Sequence, residues 1–190
     1  MAVIDQRPRR MAVNSGYLLI AYIVEALLGI VVLSMAARYL SQAGFGQYGY
    51  VISFIELFIM LTELSNSRVL VREVASDQAH ARQHLAGVWT LRWVLSVVMI
   101  LAVIVAAQGS AAGSPLWWAI LFYAVDQVFA NLTEVFTAVF RAYQQMQYQA
   151  FTVIFGRVLI LLFTFVAIQL DLGLVGLFGL RVVADLLRDL

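Results

Sequence analysis

Of the 190 residues, 63% are hydrophobic and only 12% are charged, and mean hydropathy is +0.91. Soluble domains run nearer half apolar and about a quarter charged, so this balance excludes an ordinary soluble domain and marks an integral membrane protein. A net charge of +1 offers no bulk attraction for nucleic acid, and the lack of cysteine excludes disulfides and thiol-ligated metals.

A helix needs about 20 mostly apolar residues to cross the hydrocarbon core. Residues 1–14 form a tail carrying Arg7, Arg9 and Arg10. The first span is predicted over 15–39. Its apolar run exceeds the roughly 7–15 residues of a secretory signal, and further spans follow, so it reads as a retained helix. A glycine-rich stretch, 43–49, is predicted to turn the chain into a second span over 48–66. That stretch has neither the P-loop pattern nor a strand-to-helix G-x-G-x-x-G, so it is no phosphate cradle.

Residues 67–84 are polar. Val69, Val71 and Val74 alternate there with Arg72, Glu73, Asp77 and Arg82, which predicts an interfacial helix. His80 and His84 lie in this stretch without an H-E-x-x-H pattern and read as surface residues. The third span is predicted over 85–107, the fourth over 116–140 after a flexible turn at 109–115, and the fifth over 149–170. A sixth segment, 173–190, is weak. Its apolar stretch stops at Arg181 and is followed by Asp185, Arg188 and Asp189. The expected fold is all-α, a polytopic bundle of five or six transmembrane helices in one domain, 15–190.

Six charged residues interrupt these apolar runs: Glu25, Glu56, Arg92, Asp126, Glu134 and Arg157. A charge near the bilayer centre costs about 2.5–3.5 kcal/mol on insertion scales. Helical residues seven apart nearly eclipse, so Ser53, Glu56, Met60 and Glu63 share one face of the second span. Asp126, Thr133 and Thr137 align in the fourth, with Glu134 and Arg141 on the adjoining edge. Lipid does not tolerate such a stripe, which must face other helices or water.

Besides single residues that snorkel to the interface, Arg92 foremost, two readings of these charges stand side by side. In one, acids and arginines pair to hold helices together, Glu134 with Arg157 or Glu56 with Arg92. In the other, all six line a hydrated cavity whose arginines attract an anionic head group. The carboxylates there fix arginine geometry or carry a coupling ion.

Arginine placement orients the chain. Arg7, Arg9, Arg10, Arg68, Arg72, Arg82 and Arg141 fall on one side if the N-terminus is cytoplasmic. The opposite side holds only Arg38, at a helix end. Its connections contain almost nothing titratable beyond Asp171, which argues against an enzyme working at that face.

Several short motifs carry a family resemblance. Residues 37–50, Ala-Arg-Tyr-Leu-Ser-Gln-Ala-Gly-Phe-Gly-Gln-Tyr-Gly-Tyr, resemble the first outer loop of bacterial polysaccharide-biosynthesis flippases. Arg72-Glu73-Val74-Ala75 resembles their R-E-x-A segment, and Asn14 and residues 141–148 resemble further family positions. Glu63-Leu64-Ser65-Asn66 departs from the family's D-L-G-like step by lacking the glycine. The resemblance is to the Wzx-like branch of the multidrug/oligosaccharidyl-lipid/polysaccharide transporters. It implies two helical lobes around a central cavity that opens alternately to each side, of which this chain matches the N-terminal one. It also implies a lipid-linked oligosaccharide of the undecaprenyl-diphosphate type as cargo, the bacterial inner membrane as location, and no cofactor. A second lobe or self-association completes such a transporter. The alternatives are a cation-coupled small-molecule exporter of the same superfamily, dominated by Glu25, Glu56 and Asp126, and a truncated fragment that does not transport.

Overall fold

The computed structural model describes residues 6–62, 81–108, 113–142 and 146–189. Six helices account for nearly all of them: α1 Gln6–Tyr39, α2 Gln42–Thr62, α3 Ala81–Ala107, α4 Pro115–Ala142, α5 Met146–Gln169 and α6 Gly173–Asp189. No strand occurs among the described residues, so the fold is an all-α bundle. Among the described residues, four helices are long and apolar enough to cross a membrane: α1, α2, α3 and α5. The chain is thus a multi-pass membrane protein. α4 and α6 are the amphipathic pair, and they carry charge into the interior.

Helix boundaries follow local capping chemistry. The glycine-rich stretch expected to be a turn is the start of α2 instead. Ser41 caps it: the Gly44 backbone N–H donates to Ser41 Oγ at 3.2 Å and the Phe45 N–H to the Ser41 carbonyl at 2.8 Å. Ser114 does the same for α4, accepting from the Trp117 N–H at 3.2 Å, with Pro115 in the first turn where its missing donor costs nothing.

α5 ends in a Schellman turn. The Leu172 N–H reaches the Ala167 carbonyl at 3.1 Å and the Asp171 N–H the Ile168 carbonyl at 3.2 Å, with Asp171 left-handed at φ 49°. Tyr39 locks this turn to the end of α1. Its hydroxyl donates to Asp171 Oδ1 at 2.7 Å and accepts from the Gly173 N–H at 2.9 Å.

The helices form two groups. α2, α3 and α4 pack on one another, α1 packs on α5, and α6 lies between α4 and α5 and joins the groups. Phe178 is the keystone of α6. It is fully buried, stacks on Tyr48 of α2 at 5.1 Å and packs at a tilt against Tyr123 of α4 at 5.2 Å. Val51, Ile55, Met99, Val103 and Ile120 fill the core around it. A smaller cluster of Val32, Ile160 and Ala184 ties α1, α5 and α6 together. Large apolar side chains such as Leu57, Met60, Val105 and Phe151 point outward, as a bilayer solvent requires.

The second-to-third connection, 63–80, lies outside the described residues. Arg68, the Arg72–Ala75 segment, Glu63 and most of the expected interfacial helix lie there. Residues 109–112 and 143–145 lie outside as well.

Candidate functional site

Phe178 fixes the rotation of α6, and the charges that follow it turn toward α4 and α5. Arg181 lies one turn on. Its guanidinium carbon sits 5.1 Å from the Tyr123 ring centroid, and its Nε donates to Asp126 Oδ2 at 2.9 Å. Asp126 is only 1% exposed and Arg181 only 19% at their side chains, so this is a buried ion pair. The Gln127 amide also donates to Asp126 Oδ2, at 3.3 Å. Asp185 and Arg188 continue the same face of α6, with Arg188 Nη1 2.8 Å from Asp185 Oδ1. Arg188 Nη2 donates to Thr133 Oγ1 of α4 at 3.0 Å, and its Nε donates to Asp189 Oδ1 at 3.1 Å.

Opposite α6, Glu25 of α1 meets Arg157 of α5. Glu25 Oε1 lies 3.1 Å from Arg157 Nη2 and accepts from Nε at 3.2 Å. Between these groups lies a cavity of about 320 Å³, walled by α1, α4, α5 and α6. Its charged lining is Glu25, Arg157, Arg181, Asp185 and Arg188; Gln127 adds an amide and Gly156 a gap.

Each carboxylate at the wall is held to an arginine, yet the arginines are not exhausted. A guanidinium has five N–H donors. Arg181 commits its Nε alone, and neither of its terminal nitrogens has a hydrogen-bond partner among the described residues. Arg157 likewise keeps Nη1 uncommitted. The wall therefore presents fixed, forked donors, the geometry that suits the oxygens of phosphate or carboxylate groups. No cluster of histidine or acidic residues suited to a metal occurs among the described residues.

The six charges expected to share one lining are distributed over three places. Glu25 and Arg157 line the cavity, and Asp126 supports it from behind Arg181. Arg92 and Glu134 pair elsewhere, 3.5 Å apart. Arg92 also donates from Nη1 to the Asn131 carbonyl, so this arginine staples α3 to α4 and stays nine-tenths buried. Glu56 is exposed on α2, beside exposed Ser53 and Met60, with no ion pair among the described residues. That face of α2 is left uncovered by the other described helices.

The expected pairings therefore change. Glu134 meets Arg92 rather than Arg157, whose partner is Glu25, and Glu56 does not meet Arg92. The cause is packing: α5 packs chiefly against α1 and α6 rather than α4, and α6 fills the space between α4 and α5. The fourth-helix stripe does face protein: Asp126 and Thr137 are buried, and Thr133 Oγ1 lies 2.7 Å from both carboxylate oxygens of Asp189.

Sequence reasoning missed Arg181, Asp185 and Arg188 as interior residues, treating them as the end of a weak segment. Their spacing of four and then three residues puts them on one face of α6 in line with Phe178, and that pattern was the available signal.

No curated protein and no solved structure matches the chain. A family model described as "Polysaccharide biosynthesis protein" matches residues 11–190. With the match covering nearly the whole chain, and a helical membrane bundle around an arginine-bearing cavity, the chain belongs to the polysaccharide biosynthesis protein family.

Proposed function

We propose that this chain forms one lobe of a transporter that moves a lipid-linked oligosaccharide of the undecaprenyl-diphosphate type across the bacterial inner membrane. It acts with a second lobe or a second copy and supplies polysaccharide or O-antigen synthesis rather than catalysing a reaction. Its N-terminus is cytoplasmic in this reading, since Arg7, Arg9, Arg10, Arg68, Arg72, Arg82 and Arg141 then share the cytoplasmic face.

The observation that carries the reading is Arg181. Arg181 lines the cavity between α1, α4, α5 and α6, and only its Nε is committed among the described residues, to Asp126. A guanidinium fixed at one edge and open at the other is pre-organised for a diphosphate, and Arg157 offers a second donor across the same cavity. Binding near mid-membrane between helices suits transport by alternating access.

Cation-coupled export by the acids has less support. Glu25 and Asp126 are both engaged by arginine, and Glu56 stands outside the cavity.

The test is genetic. In cells whose surface polysaccharide depends on this gene, Arg181→Ala and Arg157→Ala are expected to reduce polysaccharide at unchanged membrane abundance. Normal polysaccharide in both would refute the cavity assignment.

A further inference from the structure

Gly156 lies on α5 where the end of α6 crosses it, and Arg188 is the side chain that makes the crossing. A Cβ placed on Gly156 would sit 2.5 Å from Arg188 Cδ and 3.4 Å from its Nη1. The first distance is well inside van der Waals contact. The contact cannot be relieved by swinging a free chain end, because Cδ is mid-stem and the head beyond it is anchored. Its three nitrogens engage Asp185, Asp189 and, on α4, Thr133.

The backbone does not demand glycine. Gly156 lies inside a regular helix and has no positive φ. Glycine in a helix interior is less stable than alanine, so its presence here needs a reason of space.

We propose that Gly156 is a positioning residue. Its missing side chain is the notch through which Arg188 lies across α5 and joins Arg157 and Arg181 on the cavity wall. Three guanidinium groups then converge on one anionic ligand with several oxygens. This rests on the reading of the cavity as a diphosphate site. The adjacent Arg157 comes from the same turn of α5, so the notch and the second arginine are placed together.

These 190 residues contain no cysteine, so a single Val153→Cys substitution on the cavity wall, with any cysteine elsewhere in the full-length protein replaced by serine, makes a clean reporter. The probe is inorganic pyrophosphate, read as protection of the introduced thiol from a charged thiol reagent. Gly156→Ala and Arg188→Ala are each expected to raise the protecting concentration about tenfold, and the double variant to be no worse than Arg188→Ala. Melting temperature supplies a second readout with a sign change. Gly156→Ala lowers it when Arg188 is present and raises it in the Arg188→Ala background, where the clash is gone and helix propensity favours alanine.

Wild-type protection in Gly156→Ala would overturn the proposal, as would an equal loss of melting temperature with and without Arg188. Absence of protection in the protein carrying Val153→Cys alone would refute the diphosphate reading instead, and the melting temperatures would still decide the notch.

Discussion

Asp126→Leu removes the carboxylate that holds Arg181, and the consequence can be worked from the geometry. The pair is 2.9 Å apart, with Asp126 1% exposed and Arg181 19% exposed. Breaking a buried pair by removing one partner costs about 3–5 kcal/mol, because the remaining charge is left uncompensated. Replacing both partners with apolar residues of similar volume is often neutral. In proteins of this size each kcal/mol moves the melting midpoint by about 2–4 °C, so the single variant should melt roughly 6–20 °C lower. Arg181 retains some access to the cavity, which places the shift near the lower end. Asp126→Leu with Arg181→Met should melt within about 3 °C of wild type. Intrinsic fluorescence in detergent serves as the assay, since the chain has four tryptophans. A double variant as unstable as the single one would refute the argument that an uncompensated buried charge sets the cost.

Other outcomes follow from the same geometry. Tyr39→Phe loses both the donation to Asp171 and the acceptance from Gly173, and should cost about 1–2 kcal/mol, seen as a lower melting midpoint. An unchanged midpoint would show that the turn holds without this lock. Ser114→Ala removes the cap of α4 and should cost about 1 kcal/mol by the same measurement, whereas Ser114→Asp should not. Arg92→Ala should lower membrane abundance, because it removes the staple between α3 and α4, while polysaccharide per molecule of protein stays normal. A specific loss of polysaccharide at normal abundance would return Arg92 to the substrate path. Phe178→Ala should be the most damaging apolar truncation, at about 3–5 kcal/mol, because it empties the contact between α2, α4 and α6.

The helices were legible because lipid leaves the backbone little choice. Long apolar runs must be helical when no water can satisfy the peptide groups. The amphipathic fourth helix was legible too, since Asp126, Thr133 and Thr137 follow one another at spacings of seven and four and do face protein. Which charges meet was not legible. Glu25 and Arg157 are 132 positions apart, and only the packing of α1 on α5 brings them together. The start of α2 was obscured by Gly44, Gly46 and Gly49, which read as a turn until the Ser41 cap is seen to initiate the helix. The last helix was undervalued because charge was taken as the end of a span. In a bundle, Arg181 and Asp185 can stay inside by meeting partners from neighbouring helices or from their own.

The most direct test is translocation itself. The full-length protein, with whatever lobe or copy completes it, would be reconstituted in liposomes with a fluorescent lipid diphosphate sugar in one leaflet. The transfer rate would then be measured for wild type, Arg181→Lys and Arg181→Ala. Measurable transfer is expected from wild type, weaker transfer from the lysine variant, which keeps the charge but loses the forked donors, and little from the alanine variant. Equal transfer by all three would contradict the claim that the cavity recognises its cargo through Arg181.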